Sequence, residues 1–225
     1  MSNESTELQK VLHTVFLRSP QSLFDEFIIE CQKWYSEPAH SLTELRTRDN
    51  KKIRGDIFEE FSVLFLKHIK GYDEVWRLED VPEDIIQTLS MKRKDMGIDI
   101  IVRHQGLYYA VQCKYKKPNP SAKSAISWQA LSTFYALCMR TGPWAKYIVM
   151  TNCDYTRHQG KKTEKDLSVC VGTFRALKAE DWLKMCNTVG IPLVQTDSVG
   201  IETPLSSLEE LRQKRIAYYS IPRNV

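Results

Sequence analysis

Three polar residues on two neighbouring apolar segments are the strongest candidates for chemistry: Asp99 in GIDIIVR, and Gln112 and Lys114 in LYYAVQCKY. A carboxylate and an amide oxygen are hard ligands suited to Mg²⁺, which keeps several waters and takes phosphate oxygens in its remaining positions. An ammonium on the same face would orient a water or stabilise charge on a phosphate under attack. The backbone carbonyl of Cys113, between Gln112 and Lys114, offers a further oxygen, and Glu59 or Glu60 on the helix after Gly55 would add a third acidic group. A bare carboxylate followed thirteen residues later by Q-x-K is a weak pattern, because polar residues on the open face of a hairpin are common.

The elements that must position these residues are legible around them. His104-Gln105-Gly106 separates two runs of period-two alternation, a hairpin signal. With a two-residue turn at Gln105-Gly106, facing residues have numbers that sum to 211, so Asp99 is expected directly across from Gln112. Asp99, Ile101 and Arg103 would then share a face with Ala110, Gln112 and Lys114, while Ile98, Ile100, Val102, Val111, Cys113 and Tyr115 form an apolar opposite face.

Around the hairpin, an amphipathic helix is predicted over 21–36, a charged loop over 46–54, and a helix from Asp56 closed by Gly71. A strand is expected near 73–80, a short helix at 83–90, a long helix at 124–140 and a buried strand in KYIVMTN. A basic loop at 154–166, a strand-like LSVCVGT, a helix at 179–188, a short strand near 191–195 and a charged helix at 205–219 complete the chain. These describe a mixed α/β arrangement expected as a single domain over 1–225: an N-terminal helical extension at 1–45, a core at 52–153 and a C-terminal elaboration at 154–225.

Composition narrows the function classes. The 225 residues carry 32 Lys+Arg against 28 Asp+Glu and are 42% hydrophobic, which excludes collagen-like, low-complexity and wholly disordered chains. No apolar run approaches the roughly 18 residues of a membrane span, and the first thirty residues hold no clean apolar signal region. The six cysteines form no C-x-x-C pair and sit in apolar segments, so buried thiols in a reducing intracellular compartment, cytoplasm or nucleus, are expected. The five histidines lack zinc-hydrolase spacing, and there is neither a G-x-S-x-G elbow nor a phosphate-binding G-x-x-x-x-G-K-[ST] loop.

The charge is lopsided. Residues 91–125 hold Lys92, Arg93, Lys94, Arg103, Lys114, Lys116, Lys117 and Lys123 against Asp95 and Asp99, and Arg157, Lys161, Lys162 and Lys165 form a second cluster. Basic runs are usually solvated faces, but two of them flanking one candidate site fit a polyanion. Trp128 and Gln129, after a basic Pro-containing loop, are the aromatic and amide pair best placed to meet nucleic acid, and Lys92, Arg93, Lys94, Lys116, Lys117, Lys123, Lys161 and Lys162 are the basic candidates.

At these residues the sequence resembles the PD-(D/E)XK nuclease superfamily, most closely Mrr-like restriction endonuclease domains in which Gln replaces the second acid. The matching pieces are Gly55-Asp56-Ile57-Phe58-Glu59, Gly71-Tyr72, Lys94 through Ile101, and Val111-Gln112-Cys113-Lys114-Tyr115. VWRLEDVP and TGPWAKYIVMTN are similar to nuclease domains fused to viral and bacterial helicases. The resemblance implies a restriction-endonuclease-like αβββαβ core with a mixed sheet, and Mg²⁺- or Mn²⁺-dependent hydrolysis of DNA phosphodiester bonds. It further implies that Asp99 and Gln112 are metal ligands, Lys114 the water-positioning group and Glu59 the additional acidic residue. A homodimer and a helicase are the protein partners considered. The alternatives are a DNA-binding module without turnover and a Holliday-junction-resolvase-like nuclease.

Overall fold

The computed structural model describes residues 23–36, 50–93, 97–119, 122–158 and 162–188. Helices α1 (Leu23–Ser36) and α2 (Asn50–Leu64) come first, and α2 runs on as a π-helical turn, Phe65–Ile69. Strand β1 (Glu74–Arg77), a 3₁₀ turn and helix α3 (Glu83–Thr88) lead to the hairpin of β2 (Ile100–His104) and β3 (Leu107–Lys114). A short β4 (Ala125–Ile126) precedes helix α4 (Trp128–Cys138), then β5 (Lys146–Thr151), β6 (Tyr155–Thr156), β7 (Asp166–Val169), and helices α5 (Val171–Arg175) and α6 (Ala179–Thr188).

The five-stranded sheet has the order β1-β2-β3-β5-β7. β1, β2 and β3 are antiparallel neighbours, whereas β5 lies parallel to β3 and β7 parallel to β5. The crossover from β3 to β5 carries α4, as a parallel connection requires. β4 and β6 form a separate parallel pair. With α2 before the meander, this is the expected αβββαβ mixed-sheet core.

The hairpin has the expected register: Ile100 faces Val111 and His104 faces Leu107. Gln105 and Gly106 take φ of +50° and +75°, the paired left-handed values of a turn whose twist matches its strands. The tip is not a free end. The Gln105 amide donates to the Asp73 carboxylate at 2.8 Å, His104 Nδ1 lies 3.2 Å from the same group, and the His104 ring packs on Tyr72.

Both faces of the sheet are covered, including the one expected to gather the polar side chains of the hairpin. On one side Ile101, Ala110 and Val149 pack with Ile85, Ile86 and Leu89 around α3 and with Leu131, Phe134 and Cys138 of α4. By strand alternation Ile100, Val102 and Val111 turn to the other side, where α2 lies against β1 and β3. There, rings from four helices interlock: Phe27 and Phe61 stack at 4.8 Å, Phe24 and Phe174 sit 4.8 Å apart, and Phe61 and Trp182 5.5 Å apart. Such pairs add to area burial.

Several sequence expectations change. The charged stretch before Gly55 is helical from Asn50 onward: Arg54 is only 1% exposed and lies over the Tyr115 ring at 5.7 Å, so tertiary packing carries the helix through a run that reads as loop. LSVCVGT divides after Val169, because Val171 and Phe174, three residues apart, bury on one face of α5. The expected helix at 124–140 yields its first residues to β4. The strand near 191–195 and the helix at 205–219 lie outside the described residues, as do most of the N-terminal extension, Lys94 and Lys161. Among the described residues no helix is long and apolar enough to cross a membrane. All six cysteines are free thiols, five buried and Cys170 partly so.

Phe61 is 0% exposed at the centre of the ring cluster. Phe61→Ala is expected to lower unfolding free energy by about 3–5 kcal/mol, read from urea unfolding.

Candidate active site

Asp99 stands just before β2, where the ladder slips by one residue. Its N–H donates to the Val111 carbonyl at 2.9 Å although Ile100 is the residue paired with Val111, so two residues oppose one, as in a bulge. The slip breaks the alternation. Ile98 joins the α4-side cluster with Ile101 rather than the face of Ile100 and Val102. It also turns the Asp99 carboxylate along the sheet edge, where Oδ2 accepts the Cys113 N–H at 2.6 Å. A charged acceptor on a backbone donor is a strong bond, and it joins Asp99 to the peptide immediately after Gln112.

A cleft of about 390 Å³ opens beside Asp99, lined by Lys52, Gly55, Asp56 and Glu59 of α2 together with Arg77, Leu78, Glu79, Arg93 and Ile98. Glu59, not Glu60, is among its lining residues. Lys52, Arg77 and Glu79 are members that spacing alone did not reveal. For Lys52 the signal was present: it lies on the helical stripe of Gly55, Asp56 and Glu59, once the helix is known to begin before Gly55.

Gln112 is 2% exposed and faces α4, in the same layer as Val149. Its Oε1 is fully buried and has no hydrogen-bond partner among the described residues. The segment just ahead of Asp99 closes over it at Gly97, whose φ is +110° and where a Cβ would come within 3.3 Å of the Phe134 nitrogen and 3.4 Å of Gln112 Nε2. Only glycine meets both demands.

Lys114 follows on the face of Gln112, half-buried, and its ammonium makes no ion pair among the described residues. Neither Lys114 nor Gln112 lines the cleft itself. Between them Cys113 is buried, its side chain on the α2 face with Val111 by strand alternation. Burial pushes that thiol well above its ordinary range, the charges of Asp99 and Glu59 push it further, and Lys114 opposes them. The Cys113 carbonyl points to the same strand edge as its N–H, the edge held by Asp99.

The end of β3 is clamped by the end of β5. Thr151 Oγ1 donates to the Lys114 carbonyl at 2.7 Å, while Asn152 donates Nδ2 to the Lys116 carbonyl at 2.7 Å and accepts the Lys116 N–H on Oδ1 at 2.8 Å. Thr151 and Asn152 are both buried. These positioning residues were invisible in the sequence, because they act through backbone atoms of another strand.

The basic candidates divide. Arg93 spends its guanidinium on Glu83 and on the carbonyls of Glu79 and Val81, and Lys116 Nζ reaches the Ala125 carbonyl. Lys92, Lys117, Lys123, Gln129 and Lys162 are exposed, while Trp128 is half-buried and stacked on Tyr135 at 4.9 Å.

A restriction endonuclease family model of the Mrr catalytic type matches residues 67–185. The chain belongs to that family. No curated protein and no solved structure matches it. The match begins after Gly55–Glu59 and extends through β7, α5 and most of α6, beyond the stretch in which the motifs were found. Nuclease activity and a DNA substrate follow at the level of the family, and restriction-endonuclease-like domains generally use divalent metals.

Whether this restriction endonuclease domain suits a divalent ion is testable on its own atoms. Among the described residues no group of three or more His, Cys, Asp or Glu side chains forms a ready cage. The oxygen set near Asp99 instead mixes a carboxylate with an amide and a carbonyl, and Gln112 Oε1 is a buried acceptor with no donor among the described residues. A cation would satisfy that acceptor, so the residues fit.

Two outcomes follow. Gln112→Met removes an unsatisfied buried amide at similar volume and is expected to leave metal-free stability unchanged or raise it by about 1 kcal/mol, while cleavage falls at least about a hundredfold; urea unfolding and a cleavage assay read the two effects. The Ser124 N–H and hydroxyl hold the Asp154 carboxyl below its ordinary 3.8. Its contribution to stability is therefore present above pH 3.8 and lost as pH falls below that value, so melts of Asp154→Asn between pH 5 and pH 3 should show weaker acid destabilisation than the unaltered protein.

Proposed function

We propose that the chain is a Mg²⁺-dependent deoxyribonuclease of the Mrr-like type, in which Asp99, Gln112 and the Cys113 carbonyl hold the ion and Lys114 handles the attacking water. The observation that carries this reading is the buried Gln112 Oε1, without a donor among the described residues, next to the peptide that binds Asp99. Leaving such an acceptor unsatisfied costs about 1–3 kcal/mol, a cost with no structural return unless something binds there.

A divalent ion, when bound, polarises phosphoryl oxygens and eases deprotonation of water. The protein's own part is positional and electrostatic. Asp99 is oriented by its bond to the Cys113 N–H, and the chain at Gly97 passes close to the Gln112 amide. Lys114, with its carbonyl clamped by Thr151, presents an ammonium to align water with the scissile phosphate and to offset charge on the phosphoryl oxygens. Glu59 and Asp56 on the facing helix stand ready to accept a proton or to hold solvent. The exposed Lys92, Lys117, Lys123 and Lys162 supply backbone contacts to DNA, whose strength falls with salt.

The test is cleavage of plasmid and linear DNA with Mg²⁺ or Mn²⁺. Lys114→Ala is expected to lose about 10²–10³-fold in rate while keeping its DNA affinity within a few-fold, and chelation of the ion should stop cleavage by the unaltered protein. Equal cleavage by Lys114→Ala would overturn the mechanism.

A further inference from the structure

Gly55 occupies an unusual place. It is the sixth residue of the fifteen-residue α2, well inside the helix, where glycine is about 0.5–1 kcal/mol worse than alanine. Two structural reasons commonly keep a glycine in place, and neither applies. Its φ is not in the left-handed region, and among the described residues nothing lies within 4 Å of where its Cβ would stand. Nothing in the fold described here needs the missing side chain.

The empty space belongs to the cleft. Lys52, Gly55, Asp56 and Glu59 follow helical spacing along one face of α2, and all four line the cleft together with Asp99 and Arg77. Gly55 therefore leaves a bare patch of helix backbone between a cationic side chain one turn before it and a carboxylate one turn after it. A Cβ there would meet open space at the wall of the cleft that Asp99 also lines.

Building on the nuclease reading, we infer that Gly55 is where the DNA strand comes closest to α2, a specificity-determining gap through which the sugar-phosphate backbone passes on its way to Asp99. Lys52 meets a phosphate on the approach side, and Arg77 lines the same passage. The gap is kept at a cost in helix propensity because the strand needs the room.

The experiment pairs Gly55→Ala with Gly55→Leu, both better helix formers than glycine. Thermal melts should show Gly55→Ala raised by about 2–4 °C and Gly55→Leu no lower than the unaltered protein. In cleavage of a duplex oligonucleotide with Mg²⁺, KM should rise about threefold for Ala and at least tenfold for Leu, with kcat changed much less. Binding of the same duplex in a Lys114→Ala background should weaken in the same order. A Leu variant with native KM and affinity would overturn the inference, as would an Ala variant that melts lower, since the glycine would then serve the fold. Lys114→Ala and the unaltered protein, assayed in parallel, separate the two ideas: full cleavage by Lys114→Ala defeats the proposed mechanism without touching Gly55, whereas no cleavage by the unaltered protein defeats both.

Discussion

The short hydrogen bond from the Cys113 amide to the Asp99 carboxylate governs the architecture of the site. It exists because the β2–β3 ladder slips by one residue at its open end, so that Asp99 is no longer a rung of the sheet but a side chain lying across the sheet's edge. Had the ladder continued in register, Asp99 would have pointed into one face and its carboxylate would have competed with packed apolar groups. The slip instead delivers a charged group to a backbone donor, which offsets the desolvation cost of a half-buried carboxylate. The adjacent Gly97 lets the chain turn tightly over Gln112 immediately before that point.

β3 is the mechanical centre. It is held by an antiparallel neighbour on one side and a parallel one on the other, with α2 packed against it. Three chemically distinct side chains leave it within three residues: the Gln112 amide toward α4, the Cys113 thiol toward α2, and the Lys114 ammonium at the last ladder position. The rings of α1, α2, α5 and α6 make the α2 side rigid, and the Thr151 and Asn152 side chains do the same for the strand's exit. Rigidity matters here because charge stabilisation depends on groups that need not reorganise. The same site violates ordinary folding preferences twice, with an unsatisfied amide at Gln112 and a mid-helix glycine at Gly55, and local violations of that kind concentrate where function sits.

Electrostatically, the cleft mixes carboxylates from α2 and Asp99 with Lys52 and Arg77, and is not a uniformly basic trough. Some of the positive charge counted in the sequence is structural: Arg93 ties the segment before α3 to its start, and Lys116 braces the approach to β4. Lys92 before β2, Lys117 and Lys123 after β3, and Lys162 after β6 remain exposed, and none of them lines the cleft.

Local pattern was enough for the hairpin, its turn and register, the helices at 23–36 and 179–188, and the succession of helix, meander, helix and strand, because alternation, turn chemistry and capping act over a few residues. It also singled out Asp99, Gln112, Lys114 and Glu59, of which Asp99 and Glu59 line one cleft and Gln112 and Lys114 do not. Tertiary structure alone decided the slip at Asp99, the burial of both sheet faces, the start of α2 at Asn50 and the choice of Glu59 over Glu60 in the cleft. Each of these depends on what lies across the sheet or under the helix: Val111 and Cys113 opposite Asp99, Tyr115 beneath Arg54, α4 over Gln112. Energies of that kind belong to contacts between residues distant in sequence, and no local periodicity encodes them.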